Sequence, residues 1–381
     1  MEEKIIFIFD AEEGNILSQD VCLDDGTILV PKETVLNLDI IASISAHHIL
    51  EIKVYKDEAI TESKASGGNS NGNNTNTSNN VSNNDNNSYF DKVRSTEAFK
   101  QFNKNYIDSI ANIKNDLNDF VLNNAPMDIN KLIQIPSTLL AQSSNSLQLF
   151  DMLHSMRNFD DMTFVHCINV SLICSVIGQW LHFSKEDIEI LTLSGLLHDI
   201  GKLMIPVEIL SKPDRLTINE YAIMKNHVNL GYGKLKNANI DTRIKEACLL
   251  HHERCDGSGY PFGLSGDKIP AVAKIVAIAD VYDAMTSARV YRDSICPFTV
   301  VGSIYEDAFT KFDPKYAIPF LKNVASSYIN NDVRLSDGRI GKVILINDNA
   351  LSKPVVLCNG EYIDLSKNTE LNIVSIIGSE G

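Results

Sequence analysis

The chain has no Cys-x-x-Cys pair. Its seven cysteines, Cys22, Cys167, Cys174, Cys248, Cys255, Cys296 and Cys358, are scattered and odd in number. This argues against a paired-thiol motif and predicts reduced thiols in a cytoplasmic protein. Basic residues are also in deficit, with 34 Lys and Arg against 49 Asp and Glu and a net charge of -15. A protein that coats nucleic acid normally presents a basic face, so no DNA or RNA duplex is expected as a partner. A small anionic ligand stays compatible, because bound metals invert the local field. The opening MEEKIIFIFD has neither the basic region nor the long apolar stretch of a signal peptide. No uncharged apolar run is expected to reach membrane-spanning length, so no membrane partner is expected either.

What is present is enough apolar material for a substantial core, 44% of 381 residues, a length that predicts two or three domains. Residues 1–61 read as a small α/β regulatory or interaction module. KIIFIF is a strand, Asp24-Asp25-Gly26 a hairpin turn into TILV, KETVLNLDIIASISA a segment with helical spacing, and EIKVYK a closing strand. Residues 62–88 form an Asn/Ser/Gly-rich flexible linker. Past Ala65 its one apolar side chain is Val81, too little to offset the entropy of ordering. Residues 89–149 read as a helical connector, with Phe99, Phe102, Tyr106, Ile110, Ile113, Leu117 and Phe120 at spacings of three and four. That stripe packs on the following domain or, as the alternative, forms a homodimer helix. Residues 150–329 are mainly α and hold the chemistry. Residues 330–381 read as a short β-rich appendage, since SDGR, INDN and CNGE are turns between Val/Ile-rich runs.

The chemistry concentrates in LLHDIGKLMIP and HHERCDGSGYP. Seven residues are candidate ligands of divalent metal: His166, His198, Asp199, His227, His251, His252 and Asp280. Neutral imidazoles and carboxylates among aliphatic residues, without nearby thiolates in these stretches, suit such an ion. Adjacent helical residues point about 100° apart, so His198 and Asp199 can serve two ions, and so can His251 and His252. Alone, each signal is weak: His166 lies on an apolar helix where a core histidine is the commoner reading, and His227 has the place of a C-terminal helix cap. Asp280 lies on an apolar helix where an unpaired carboxylate is costly, with Asp283 on the same face, placed either to support the ligands or to face substrate.

The ordered series over roughly residues 150–300 is specific where its members are not. It runs His, His-Asp-x-Gly-Lys, His, His-His-Glu, Gly-Tyr-Pro and Asp-x-x-Asp. It resembles the HD-GYP family of metal-dependent phosphodiesterases that hydrolyse the second messenger cyclic di-GMP. The resemblance implies a mainly α fold, an HD-type helical bundle, for residues 150–329. It implies two divalent ions, iron or manganese, on the seven ligands, with Asp199 bridging and a bridging hydroxide attacking phosphorus. A third ion in some members uses a Glu four residues before the first His. Met162 stands there, with Asp161 one place off, so two metals are expected. Lys202 matches the family lysine that contacts phosphate, and Asp199 and Lys202 are the catalytic pair. Gly259, Tyr260 and Pro261, Asp283, Arg289 and Arg292 match substrate-facing positions. The products are the linear dinucleotide or GMP. Two alternatives are carried: a phosphohydrolase acting on another nucleotide or cyclic dinucleotide, and a non-catalytic sensor of cyclic di-GMP. The sensor is disfavoured because His198, Asp199 and Lys202 are all retained.

Overall fold

A computed structural model describes residues 3–7, 14–22, 27–37, 40, 44, 51–55, 89–156, 162–212, 216–286, 295–368 and 370–377. The chain divides into two compact units, Met1–Asn83 and Asn84–Gly381. In the first, β1 (Glu3–Phe7) pairs antiparallel with β4 (Glu51–Tyr55), with Ile6 opposite Ile52. β2 (Val21–Cys22) pairs antiparallel with β3 (Ile28–Val30). Leu17, Val21, Val30, Leu36, Ile44, Ile52 and Val54 make a small core of their own. The expected strands at both ends of this module are thus present. The expected helix does not begin at Lys32: the backbone at Val35 instead forms a β-bridge with Ile16, and helical residues are first described at Ile40 and Ile44. Most of the rest of that segment lies outside the described residues, as do Asp24-Asp25-Gly26 and the linker at 62–88.

The second unit is mainly helical. Its helices are α1 (Tyr89–Ser95), α2 (Glu97–Asn123), α3 (Ile129–Leu140), α4 (Ser146–Ser155), α5 (Met162–Trp180) and α6 (Lys185–Leu197). They continue as α7 (Val207–Leu210), α8 (Ile218–Lys225), α9 (His227–Leu235), α10 (Thr242–Leu250), α11 (Ala271–Thr286), α12 (Pro297–Asp307) and α13 (Pro314–Ser327). A 3-10 turn over Ile200–Met204 follows α6. Ser184 caps α6 by accepting from the Asp187 amide at 3.1 Å, the arrangement its sequence spacing predicts. In α2 the apolar stripe from Phe99 to Phe120 is buried in the same core as α5, α6 and α11. A stripe at spacings of three and four is what one-sided burial of a helix requires.

α5 is apolar on every side and lies at the centre, packed against α6 and α11. Thr163–Trp180 is long and apolar enough to cross a membrane by composition, contrary to the sequence expectation, and 78% of that window is buried within the protein. An all-round apolar helix reads the same whether its neighbours are lipid or protein, and here they are α2, α6 and α11. The C-terminal strands β5 (Asp332–Leu335), β6 (Ile340–Asn347), β7 (Ala350–Cys358), β8 (Glu361–Asp364) and β9 (Ile373–Ile376) form one antiparallel sheet, in the order β8-β7-β6-β5-β9. Val333, Val343, Val356 and Ile376 from this sheet join the core of the helices.

α1 follows the linker directly and is anchored at once. The Tyr89 hydroxyl donates to Asp151 of α4 at 2.5 Å, and burial pushes the Asp151 carboxyl up to about 7. Every stabilising contact of the second unit described here therefore starts at Tyr89 or later. A chain lacking residues 1–88 should fold and melt as one cooperative transition. Insoluble protein would show that the first unit completes the core.

Candidate metal centre

Six ends or faces of helices converge to make the site. His166 projects from the second turn of α5. His198 caps the C-terminus of α6 and Asp199 opens the 3-10 turn. His227 is the first residue of α9, His251 caps α10, His252 follows it, and Asp280 lies on α11. The turn and α9 approach closely because residue 201 is Gly: a Cβ there would lie 1.8 Å from the His227 carbonyl oxygen. The Gly of His-Asp-x-Gly-Lys is thus a packing requirement of the ligand set, which the motif alone does not reveal.

Each of three buried imidazoles is fixed by a backbone carbonyl. Nδ1 of His198 is 2.7 Å from the Gly195 oxygen and Nδ1 of His227 is 2.8 Å from that of Met224. Nδ1 of His251 is 3.1 Å from both the Ala247 and the Cys248 oxygens. Since a carbonyl only accepts, Nδ1 carries the proton and Nε2 carries the lone pair. His227 therefore does cap the end of α8, as its position suggested, and presents a ligand atom with its other nitrogen. All three Nε2 atoms, and Asp199 Oδ1, are buried without a hydrogen bond. Leaving such an acceptor unsatisfied costs about 1–3 kcal/mol each. Divalent cations held by these atoms would satisfy all of them, so the residues fit the group. The donors are nitrogen and oxygen, a set suited to iron, manganese or zinc. Burial pushes the thiols of nearby Cys167 and Cys248 up, so neither offers a thiolate.

The ligand atoms form two groups. Those of Asp199, His227, His251 and His252 lie within 4.8 Å of one another, as do those of His166, His198 and Asp280. Asp199 reaches both. Its Oδ1 is 3.2 Å from His227 Nε2 and 3.7 Å from His251 Nε2, whereas Oδ2 is 3.3 Å from His198 Nε2 and 3.7 Å from His166 Nε2. Lys202 Nζ donates to the same Oδ2. Burial opposes the Asp199 charge, but the His198 imidazole and the Lys202 ammonium outweigh it and hold the carboxyl well below its usual range. Burial likewise opposes the Lys202 charge, and Asp199 and Asp280 reverse that, so the amine stays a cation. Burial lowers His251 to about 4, and burial with the adjacent His251 lowers His252 too, so both offer free lone pairs at neutral pH.

Asp283 is turned inward rather than toward a substrate, only 3% exposed, with Oδ2 2.7 Å from His166 Nδ1 and Oδ1 accepting from Asn169 at 2.8 Å. Of the two places the sequence left open for it, behind the ligands or facing substrate, these contacts match the first. Tyr260 stacks on His252 with ring centroids 4.6 Å apart and planes 25° off parallel. Gly259 allows the turn to press against the His252 segment, since a Cβ there would meet the Arg254 nitrogen and His252 oxygen at 2.4 Å. Pro261 follows Tyr260 in the same turn. Glu253, given no role from sequence, is buried and accepts from the Phe262 and Leu264 amides at 2.8 Å, pinning this turn. Its signal was the third letter of His-His-Glu. Arg289, Arg292 and Asp161 lie outside the described residues, as does the Met162 side chain.

Without metal, burial lowers His166, but hydrogen bonds to Asp280 and Asp283 and their charges raise it to about 10. Below that pH it carries two protons, and the one on Nε2, the nitrogen facing Asp280 and Asp199, must leave when a cation binds. Loading metal-free protein at pH 8 should therefore release about one proton. Calorimetric heats that do not vary with the buffer's ionisation enthalpy would contradict this.

A family model described as HD domain matches residues 132–316. A cyclic di-GMP phosphodiesterase of Pseudomonas aeruginosa is 34% identical over 202 residues, 53% of this chain and 49% of that protein. A cyclic di-GMP phosphodiesterase response regulator of Xanthomonas campestris is 38% identical over 159 residues, 41% of this chain and 42% of that protein. A 3'3'-cGAMP-specific phosphodiesterase of Vibrio cholerae is 42% identical over 133 residues, 35% of this chain and 31% of that protein. The chain spans half or less of the length of these curated relatives. All seven predicted ligands fall inside the segment, residues 132–316, that matches the HD domain family.

Proposed function

We propose that the chain is a metal-dependent phosphodiesterase of cyclic dinucleotides, with cyclic di-GMP as its substrate and the linear dinucleotide or GMP as product. The observation that carries this reading is the Asp199 carboxylate, which turns one oxygen to each of two donor groups. In this reading His227, His251 and His252 hold one divalent ion, His166, His198 and Asp280 hold another, and Asp199 spans them. Iron or manganese is the proposed metal, and the cytoplasm the proposed location. The chemistry such ions supply when bound is Lewis-acid activation of a water nucleophile and neutralisation of phosphodiester charge.

The remaining residues have assignable tasks. Lys202 is partly exposed, 24% by side chain, and has N–H donors beyond the one on Asp199. As a permanent cation it stabilises negative charge building on the phosphate rather than taking a proton. Tyr260 offers a π face at the rim of the site, held by Gly259, Pro261 and Glu253, and suits a purine base. Arg289 and Arg292 are the proposed partners of the second phosphate or a guanine edge, which a guanidinium can grip with two parallel hydrogen bonds. The substrate reading that ranks next is 3'3'-cGAMP, because relatives named for that activity are as similar as those named for cyclic di-GMP.

Anaerobically purified protein should carry about two iron or manganese ions per chain. A stoichiometry near zero would end the binuclear reading. Asp199→Ala should lose both metal and hydrolysis, whereas Lys202→Ala should keep its metal and lose about 10²-fold or more in turnover. Wild-type rates in Lys202→Ala would remove its assigned role. Arg289→Ala should raise KM for the cyclic dinucleotide about ten-fold and leave hydrolysis of bis(p-nitrophenyl) phosphate nearly unchanged. Equal losses on both esters would show that Arg289 supports the site's structure instead. Chromatography of the products from cyclic di-GMP and 3'3'-cGAMP decides between the two substrates.

A further inference from the structure

One hydrogen-bond chain runs from the centre to a residue outside the matched HD segment. His166 Nδ1 meets Asp283 Oδ2 at 2.7 Å, and Asp283 Oδ1 accepts from the Asn169 side-chain amide at 2.8 Å. The Asn169 carbonyl oxygen accepts from the Tyr106 hydroxyl at 2.5 Å, which also lies 3.1 Å from the Val165 carbonyl. Tyr106 belongs to α2, and the family match begins at residue 132. Tyr106 is fully buried, Asn169 is 2% exposed and Asp283 3%.

The polarity of this chain has one consistent solution. A carboxylate only accepts, so the Asn169 amide must turn its NH2 to Asp283 and its oxygen to Tyr106. A flipped amide would set two acceptors face to face at Asp283. Tyr106 supplies the proton that matches the correct orientation. Asp283, held in this way, accepts the Nδ1 proton of His166 and leaves Nε2 directed at Asp280, 3.0 Å away, and at Asp199. His198, His227 and His251 use a backbone carbonyl for this purpose, which the fold supplies without side-chain help. His166 lies inside α5, in its second turn, where the carbonyls are taken by the helix itself. It therefore needs a side-chain acceptor, and that acceptor must be braced.

We infer that Tyr106 and Asn169 are positioning residues for the metal held by His166, His198 and Asp280, so that the helix preceding the HD segment is a working part of the centre. The inference rests on the metal reading above and names the half of the site it concerns. The ion held by His227, His251 and His252 has no such dependence.

The test is titration of metal-free, full-length protein with manganese under anaerobic conditions, read by electron paramagnetic resonance and by metal content after desalting. Tyr106→Phe removes one oxygen and keeps the buried ring. Partners of this kind are typically worth 10- to 100-fold in metal affinity. Tyr106→Phe should weaken one of two ions by about that factor and leave the other at its wild-type affinity, with a residual signal like that of His166→Ala. In an Asp283→Asn background Tyr106→Phe should add nothing further, because the chain is already cut there. A merely structural role for Tyr106 would lower the melting temperature and weaken both ions or neither, and that result overturns the inference. If Tyr106→Phe does not fold, Asn169→Asp, which sets two carboxylates together, should lose the same single ion, and loss of both or neither overturns the inference. If wild-type protein binds a single ion, the binuclear reading fails by itself. The positioning role then stands only if Tyr106→Phe weakens that ion about ten-fold or more.

Discussion

A carboxylate buried to 1% exposure among imidazoles is the constraint on which the second unit is organised. Asp199 cannot be there as an isolated charge, since burying one without partners costs many kcal/mol. Lys202 and the neighbouring histidines answer part of that charge directly, and a cation shared with those imidazoles would answer the rest. The buried lone pairs of His198, His227 and His251 make the same demand from the other side. Charge and lone pairs are separately unfavourable and jointly make a strong site for divalent metal.

The helices deliver these groups by their ends. His198 and His251 cap α6 and α10, and His227 sits where α8 gives way to α9. The last carbonyls of a helix have no partner within it, and here they accept the Nδ1 protons that set each imidazole's tautomer. One device thus finishes the helix and aims the ligand. Such a device works only if the helix ends meet, and Gly201 is what lets the turn after α6 lie against α9. His166, inside α5, needs a different device and finds it in Asp283.

The turn carrying Tyr260 is tied to the same centre by another buried carboxylate, Glu253, whose two oxygens accept from the Phe262 and Leu264 amides. Tyr260 and the clustered imidazoles are consequently neighbours in the chain as well as in space. Tyr260 lies on His252, and His252 precedes Glu253 directly. A shift of the turn and a shift of the ligands cannot be independent.

The sequence by itself picked out the seven side chains that folding gathers into two donor groups, because seven residues of the right type in a fixed order are improbable otherwise. It also determined the mainly α character, the α2 stripe and the cap at Ser184, all of which are local periodicities or local hydrogen bonds. It did not determine what α5 is buried in, because an apolar helix reads alike for lipid and for protein. It left Asp283 open between the ligands and the substrate, since spacing gives a side chain's face but not its partner. The inward turn onto His166, the role of Gly201 and the brace from Tyr106 join positions far apart in the chain. Only the tertiary structure decided those, because tautomer, close approach and hydrogen-bond polarity depend on which atoms folding brings within about 3 Å.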